Sequence, residues 1–392
     1  MFDAILLASY GGPESLPEVE PFLDRVLAGK RVPAARRAAV LERYALFNGI
    51  SPLPEECRRF LAAVREKLEE NQNPVRVYFG ALYAPPFMDE AFREMERDGI
   101  RSVLVFASSA FGSAPSCRRY IAAAAKALEG RSPGFVSQLT IRHAPPCFEL
   151  PEFRRSVADA LLEALAWDEL DESPFNAPDS ASERLVLFTA HSIPCADDAA
   201  SSYRRQLLHA CADVLQSVLN APGFTGLDKE TAAKASPTDV RYPDRPLLLS
   251  PLHDATQIPD NLRAALRERS LDAALAFQSR SGSPFVPWLG PDVREFIAEY
   301  KEKNHALKSV VVVPLGFFFE NMETIYDLDV EAQELCESLG LRYRRARCCG
   351  TADRLADAVR KLALVDAGSF PVCECADNVC DFSCRLRGSK AN

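Results

Sequence analysis

The sequence predicts an α/β protein in which parallel sheets are covered by helices on both faces. Segments typical of buried strands alternate with amphipathic segments from residue 3 to residue 166, and this order produces parallel sheets. The alternation resumes after an acidic stretch rich in Pro, Ser and Asn at 168–183, which we interpret as a linker. A chain of 392 residues is long enough for two domains with full-sized cores.

The first half begins with a strand at 3–9 that ends in Tyr10-Gly11-Gly12. The two glycines permit a tight turn, but they do not form the GxGxxG pattern of a dinucleotide site. Further strands are predicted at 75–83, 102–107 and 137–142, and helices at 14–28, 34–47, 54–70, 88–97 and 152–166. Tyr10 therefore lies at the carboxyl end of the first strand.

The second half begins with LVLFTAHSIP, a buried strand that ends at His191 and is stopped by Pro194. The carboxyl ends of strands are where open α/β sheets bind ligands, so His191 is a candidate functional residue; the alternative is a hydrogen-bonded structural histidine. Strands are also predicted at 272–278, 309–314 and 342–347, helices at 203–219, 292–303 and 351–364, and a surface insertion at 222–246.

Carboxylates follow SVVVVP, the most apolar strand of the chain. Glu320, Glu323 and Asp327 are spaced to share one helical face, and they lie at the same sheet edge as His191 if both strands belong to one sheet. An imidazole and a carboxylate can bind a first-row divalent metal ion or can act as base and proton acceptor. The alternative is a solvated acidic face. No GxSxG motif supports a hydrolase of that type.

Composition limits the possible partners and compartment. The net charge of -9 argues against general nucleic-acid binding, and no apolar run reaches membrane-spanning length. The N-terminal segment lacks the features of a signal peptide, so we expect a cytoplasmic protein, acting as a monomer. Of twelve cysteines, four fall between residues 373 and 384, and in a reducing compartment such a cluster favours metal binding over disulfides.

Several separated motifs together resemble the ferrochelatase family. They are LLASYGGPE, RYALFNGISPL, LFTAHSIP, FQSRSGSPFVPWLGPD and VVVVPLGFFFENMETIYDLD. The resemblance implies two Rossmann-like domains with a porphyrin cleft between them, and insertion of Fe²⁺ into the porphyrin without a nucleotide cofactor. We accordingly divide the chain into a porphyrin-binding domain at 1–167, a second domain at 168–350, and a C-terminal helix and cysteine-rich tail at 351–392 that packs back on the first domain.

The resemblance also assigns roles to residues. It implies that His191 is the iron ligand or proton acceptor and that Glu323 is the carboxylate opposite it. Tyr10 matches the family members that act on coproporphyrin III, which favours this substrate over protoporphyrin IX; a tyrosine that merely packs in the core is the alternative. Substrate contacts are implied at Arg43, Tyr44, Ser51 and Tyr120. A non-catalytic tetrapyrrole or metal carrier with the same fold is the alternative from another functional class.

Two positions depart from the family pattern. The family often has an arginine just before Gly29, where this chain has Leu27-Ala28, and Lys30 or Arg31 is a candidate substitute. The chain has Glu320-Asn321 where Asp-His is common, and asparagine can hydrogen-bond but cannot act as a base.

The cysteine tail resembles the iron–sulfur extension of some ferrochelatases. The resemblance implies a [2Fe–2S] cluster with three ligands in the tail and one far upstream, in a motif like Ser116-Cys117-Arg118. We assign Cys117, Cys373, Cys375 and Cys380 as the ligands, which leaves Cys384 as a spare or as a replacement for one of them. A zinc site is the alternative, because thiolates suit zinc equally well.

Overall fold

The computed structural model describes residues 1–30, 32–113, 116, 119–169, 183–201, 203–221, 258, 260–268, 270–282 and 285–368. Within these residues the chain forms two four-stranded parallel sheets flanked by helices, so the predicted α/β fold is confirmed. The predicted linker at 168–183 and the predicted insertion at 222–246 lie almost entirely outside the described residues.

The first sheet has the spatial strand order β2-β1-β3-β4. Its strands are β1 (Ala4–Ser9), β2 (Arg76–Ala81), β3 (Ser102–Ala107) and β4 (Thr140–His143). Every residue of the central β1 is buried, as expected for a strand of small and branched apolar side chains that is covered on both faces. Tyr10 follows β1 directly at the carboxyl edge of the sheet.

The second sheet repeats this arrangement in the order β6-β5-β7-β8. Its strands are β5 (Arg184–His191), β6 (Leu271–Gln278), β7 (Ser309–Val313) and β8 (Arg342–Arg345). All neighbouring strands are parallel, so their carboxyl ends lie along one edge. His191 and Gln278 are register partners at this edge.

Helices connect and cover the strands. In the first half these are α1 (Leu16–Leu27), α2 (Ala34–Leu46), α3 (Leu53–Glu70), α4 (Met88–Arg97), α5 (Arg119–Leu128), α6 (Pro133–Gln138) and α7 (Pro151–Glu169). In the second half they are α8 (Cys195–Ser201), α9 (Tyr203–Leu219), α10 (Asp260–Arg267), α11 (Val293–Lys303), a π-helix (Thr324–Ala332), α12 (Gln333–Ser338) and α13 (Asp353–Ala363).

The strand predicted at 137–142 begins later than expected, because a short helix takes its first residues. Ser132 caps α6 by accepting a hydrogen bond from the Phe135 N–H at 3.3 Å, and Pro133 suits the first helical turn. The chain reaches the sheet only at β4.

Two phenylalanines after β7 join the halves of the molecule. Phe318 and Phe319 are buried and pack edge-on against Phe60 of α3, with ring centroids 5.8 and 5.6 Å away. Phe318 also contacts Phe106 of β3 at 5.6 Å. Burial of a phenylalanine stabilises a fold by about 2 kcal/mol. The segment that continues to Glu323 is therefore anchored in the first half of the protein.

The last described helix also packs on the first half. α13 lies against α3 and α7, and the Phe2 N–H donates to the Ala363 carbonyl at 2.9 Å. This contact joins the beginning of the chain to the end of its described part.

Candidate active site

His191 ends β5 at the carboxyl edge of the second sheet. The residues before it in β5 are buried, whereas its own side chain is 31% exposed. Nδ1 lies 2.5 Å from the Ser192 carbonyl oxygen, and because a carbonyl only accepts, Nδ1 carries the hydrogen. In the neutral ring Nε2 therefore keeps its lone pair, so this nitrogen can take up a proton or bind a metal ion.

Glu323 lies opposite this nitrogen. Its Oε1 is 3.6 Å from His191 Nε2, and its side chain is 48% exposed. Burial lowers the pKa of His191, but the nearby charge of Glu323, the hydrogen bond to the Ser192 carbonyl and the charge of Asp327 together outweigh burial and raise the pKa above its ordinary value. The structure thus brings together the two predicted catalytic residues as an imidazole and a carboxylate that favour a shared cation.

Asp327 is a second acidic group of the site, on the π-helix that follows Glu323. It accepts a hydrogen bond from the Ser279 hydroxyl and lies 3.7 Å from the Arg43 guanidinium. Burial raises the pKa of Asp327 to about 6; Glu323 and Glu331 act in the same direction, whereas Ser279 and Arg43 oppose them. Asp327 can therefore exchange a proton near neutral pH.

Glu320 does not join this acidic face, contrary to the sequence-based expectation. Both of its carboxylate oxygens accept hydrogen bonds from Arg345, at 2.9 and 3.0 Å, and one also accepts from the Cys348 N–H at 2.7 Å. The regular helix begins only after Glu320, so the spacing of three residues does not bring its side chain beside Glu323. Glu320 is a structural partner of Arg345.

Tyr10 and Tyr44 are residues of the first half of the protein whose phenols are influenced by the charge of Glu323. Tyr10 packs against Tyr83, with ring centroids 4.6 Å apart, and Tyr44 packs edge-on against Phe22 at 6.2 Å. Burial first, and then the charge of Glu323, raise the pKa of both phenols. Both hydroxyl groups therefore keep their protons and lie within the electrostatic field of Glu323.

Arg43 links α2 to the π-helix. Besides Asp327, its guanidinium faces Glu331 at 3.8 Å and lies over the ring of Tyr326, 4.4 Å from the centroid. The side chain is nevertheless 40% exposed, and both ion pairs are long. Arg43 is thus a cation held loosely at the edge of the site.

Ser51 and Tyr120, the other predicted substrate contacts, are buried in the first half. The Ser51 N–H donates to the Pro13 carbonyl at 2.8 Å, and Ser51 lies so close to Gly12 that a Cβ there would come within 2.7 Å of its hydroxyl. The Tyr120 hydroxyl is 3.5 Å from Ser108 Oγ.

Lys30, a candidate for the missing arginine, follows a turn at Gly29, whose φ of +75° favours glycine. Burial and then the positive charge of Arg119 lower the pKa of Lys30, so the two cations lie near each other. Arg31, the other candidate, lies outside the described residues.

The predicted cluster ligands Cys117, Cys373, Cys375 and Cys380, together with Cys384, lie outside the described residues. In the part of the chain that is described, no group of three or more His, Cys, Asp or Glu side chains is arranged to hold a metal ion. Among those same residues, no helix combines the length and apolar character needed to cross a bilayer.

A surface depression of about 290 Å³ lies at the opposite edge of the first sheet, beside Asp3 and Arg76. Its polar groups already have partners: Asp3 accepts from two main-chain N–H groups at 2.9 Å, and Arg76 pairs with Asp98 at 2.9 Å. His191 and Glu323 are therefore identified as the candidate site by their chemistry and not by the size of a cavity.

Sequence reasoning missed the polar residues at the end of β6. Gln278 donates to the Glu323 carbonyl at 3.2 Å, and Ser279 donates to Asp327. Both belong to the motif FQSRSGSPFVPWLGPD, and the signal available was a pair of polar residues at the end of a fully buried strand.

Comparisons with known proteins identify the family of this chain. The sequence profile of the family described as Ferrochelatase matches residues 2–366. The coproporphyrin III ferrochelatase of Streptomyces coelicolor is 33% identical over 373 residues, 94% of this chain and 86% of that protein. The ferrochelatase of Rhodopirellula baltica is 31% identical over 350 residues, 89% of this chain and 82% of that protein.

Among solved structures, SirB from Bacillus subtilis with Fe³⁺ aligns with a TM-score of 0.46 and 13% identity, over 94% of this chain and 99% of that chain. The family profile covers nearly the whole chain, and relatives above 30% identity align along most of its length. This chain therefore belongs to the ferrochelatase family.

Proposed function

We propose that the protein inserts Fe²⁺ into a porphyrin for haem synthesis, and that His191 and Glu323 receive the metal ion and the leaving protons. The observation that carries this proposal is the 3.6 Å approach of His191 Nε2 to Glu323 Oε1 at the carboxyl edge of the second sheet. Membership of the ferrochelatase family supports Fe²⁺ as the metal and a porphyrin as its acceptor.

The residues suit each part of this reaction. A neutral imidazole and a carboxylate are suitable ligands for a first-row divalent ion. As Fe²⁺ enters, each pyrrole N–H bond breaks and its electron pair forms an Fe–N bond, so the iron stays ferrous and the protons must leave. His191 Nε2 and the carboxylate of Glu323, which is about half exposed, accept the two leaving protons.

The proposed substrate is coproporphyrin III, with protoporphyrin IX as the alternative. Support comes from the names of the relatives in Streptomyces coelicolor and Nocardia farcinica, both coproporphyrin III ferrochelatases at 32–33% identity. Tyr10 adds to this support through the family resemblance. Because burial and Glu323 raise the pKa of Tyr10, its phenol is protonated before the metal ion arrives.

Coproporphyrin carries propionates that need polar anchors. Arg43 is the best placed of the proposed contacts, because its ion pairs with Asp327 and Glu331 are long and a propionate can compete for it. We retain Tyr44, Ser51 and Tyr120 as proposed contacts on the first half, with Lys30 in place of the missing arginine.

The test is an anaerobic assay with Fe²⁺ and either porphyrin, followed by the shift of the Soret band. We expect turnover of coproporphyrin III with a kcat/KM at least about tenfold above that for protoporphyrin IX, the size of effect that a charged contact at the site can give. A preference for protoporphyrin IX would contradict the substrate. Stoichiometric binding of both partners without product would favour the non-catalytic carrier.

We also propose a [2Fe–2S] cluster held by Cys117, Cys373, Cys375 and Cys380. The support is the donor set itself, since four thiolates are the ordinary ligands of such a cluster. The purified protein should absorb visible light and contain acid-labile sulfide. A colourless protein that contains zinc would contradict the cluster and favour the alternative metal.

The expected cytoplasmic location and monomeric state stay predictions. Cell fractionation checks the first, and light scattering on the purified protein checks the second by comparing its mass with that of one chain.

A further inference from the structure

Gln278 is a buried polar residue beside the proposed catalytic pair. It ends β6, is 2% exposed, and is the register partner of His191 on β5. Register partners on parallel strands point to the same face of a sheet, here the face on which Leu187 and Ala276 share one apolar cluster with Leu328 of the π-helix. Gln278 and His191 therefore face the element that begins directly after Glu323.

The side chain of Gln278 holds the main chain of Glu323. Its Nε2 donates to the Glu323 carbonyl at 3.2 Å, while Oε1 has no hydrogen-bond partner among the described residues. Reversing the amide would place its oxygen against another oxygen, so the contact with Glu323 fixes the orientation. A buried amide that leaves one atom unsatisfied is costly, which indicates that the position serves more than packing.

Asn321 holds the same residue from the other side. Its Oδ1 accepts hydrogen bonds from the Glu323 N–H at 2.9 Å and from the Thr324 N–H at 3.2 Å. Its Nδ2 donates to the Phe319 carbonyl at 3.1 Å, which connects the turn to the anchored phenylalanines. Both the N–H and the carbonyl of Glu323 are thus held by side chains.

The carboxylate of Glu323 has fewer restraints than its main chain. Its described close polar contact is with His191, and the side chain is about half exposed. The position of the Glu323 main chain therefore limits how closely its carboxylate can approach His191. Gln278 controls that place from the strand next to His191, and its own carbonyl accepts the Ser192 N–H at 2.8 Å.

We infer that Gln278 is a positioning residue that holds Glu323 at the correct distance from His191 for binding and transferring Fe²⁺. This inference rests on the proposed function of the pair. Because Gln278 is only 2% exposed, it acts through Glu323 and not directly on the metal ion or the porphyrin, and Asn321 completes the restraint. Small displacements of a reacting group cost about tenfold to a hundredfold in rate, so loss of this hydrogen bond should be measurable.

The test compares Gln278→Met with the matched control Gln206→Met. Gln206 is a buried glutamine of α9 that donates to the Gly112 and Ser201 carbonyls at 3.0 and 2.9 Å. Anaerobic calorimetry gives the Kd of the porphyrin-free protein for Fe²⁺, and the chelation assay gives the kinetic constants. We expect Gln278→Met to weaken Fe²⁺ binding and to lower kcat/KM for Fe²⁺ by about tenfold or more, with porphyrin affinity within about twofold of the wild type.

Two further comparisons separate positioning from a general structural role. In a Glu323→Gln background, Gln278→Met should change Fe²⁺ binding by less than about twofold, because the residue it acts through is already altered. If Gln278→Met does not fold, Gln278→Leu, which also removes the donor and adds no charge, carries the same expectation.

Unchanged Fe²⁺ binding in a folded Gln278 variant, or an equal loss in Gln206→Met, would overturn the inference. A wild-type protein that binds Fe²⁺ but forms no metalloporphyrin would contradict the proposed function, and the Fe²⁺ Kd of Gln278→Met would still decide the role of Gln278. A wild-type protein that binds no Fe²⁺ would contradict both.

Discussion

His143 and His191 end strands in the first and second sheets, and their surroundings move their pKa values in opposite directions. Burial lowers the pKa of His143 to about 4. His191 is also opposed by burial, but Glu323, 3.6 Å away, helps to raise its pKa above the ordinary value. The comparison shows that a facing carboxylate, and not the place at a strand end, makes a histidine suitable for exchanging protons and metal ions.

The two halves as a whole also share an architecture but differ in the residues at their strand ends. Both sheets have the same strand order, counted from the first strand of each half. The first strand of one half leads to Tyr10, which keeps its proton, and that of the other half leads to His191. Under the proposed function, one architecture repeated twice provides one side of the site for holding a substrate and one side for reacting with it.

Replacing His191 should have the largest effect on activity. His191→Ala removes the proposed base and metal ligand, so we expect the rate of iron insertion to fall by about a thousandfold, within the range measured for loss of a general base. Porphyrin binding, followed by fluorescence quenching, should change little.

The matched control is His143→Ala, which should leave insertion within about threefold of the wild type, because among the described residues no polar contact links His143 to His191 or Glu323. Similar losses in both variants would show that the two histidines do not differ as described.

Replacing Glu323 should have the next largest effect. Glu323→Gln keeps the shape of the side chain but removes the charge opposite His191, so we expect a loss of about a hundredfold in kcat/KM for Fe²⁺. Steady-state kinetics with varied Fe²⁺ checks this expectation. Activity close to that of the wild type would exclude Glu323 as a ligand.

Glu320 offers a second comparison, because it lies only three residues before Glu323 but pairs with Arg345 instead of facing His191. Glu320→Gln breaks a largely buried pair with Arg345, so we expect a loss of about 2 kcal/mol in the free energy of unfolding. Urea denaturation measures this loss, and the Fe²⁺ kinetics of the folded variant should remain close to those of the wild type. A loss of activity without a loss of stability would reverse the roles of the two carboxylates.

Replacing His143 should have the smallest effect, and that effect is on the pH dependence of the free energy of unfolding. Its pKa is near 4 in the folded protein, below the ordinary value, so the unfolded chain binds the proton more tightly. The stability that depends on neutral His143 is complete above about pH 6.5 and is lost as the pH falls towards 4. His143→Gln should flatten this dependence, which denaturation across that pH range measures.

The sequence was sufficient to predict the sheets and the place of His191. Apolar runs such as LVLF and SVVVV specify buried parallel strands, and a residue at the end of such a run must lie at the carboxyl edge. Spacing made Glu320, Glu323 and Asp327 joint candidates, and only the family resemblance singled out Glu323, because a charged residue after a strand has many possible partners.

Local sequence patterns could not predict the long-range contacts of the site. Glu320 accepts a hydrogen bond from Arg345, 25 residues later in the chain, instead of lying beside Glu323. Gln278 donates a hydrogen bond to Glu323, 45 residues later. The contact of Phe318 with Phe60 likewise joins residues that are far apart in the sequence. Spacing along one helix cannot reveal a partner that the tertiary fold supplies.

The most direct test of the account is the single-turnover rate of Fe²⁺ insertion into coproporphyrin III, measured for the wild type and for Glu323→Gln. The pH is varied from about 5 to about 8, roughly one and a half units on either side of the ordinary histidine pKa. Because His191 must be neutral to accept a proton, the rate should rise with pH through the pKa of His191. Without Glu323 that pKa falls, so the rise should move to lower pH. Rates that do not depend on pH, or a rise at the same pH in both proteins, would contradict the account.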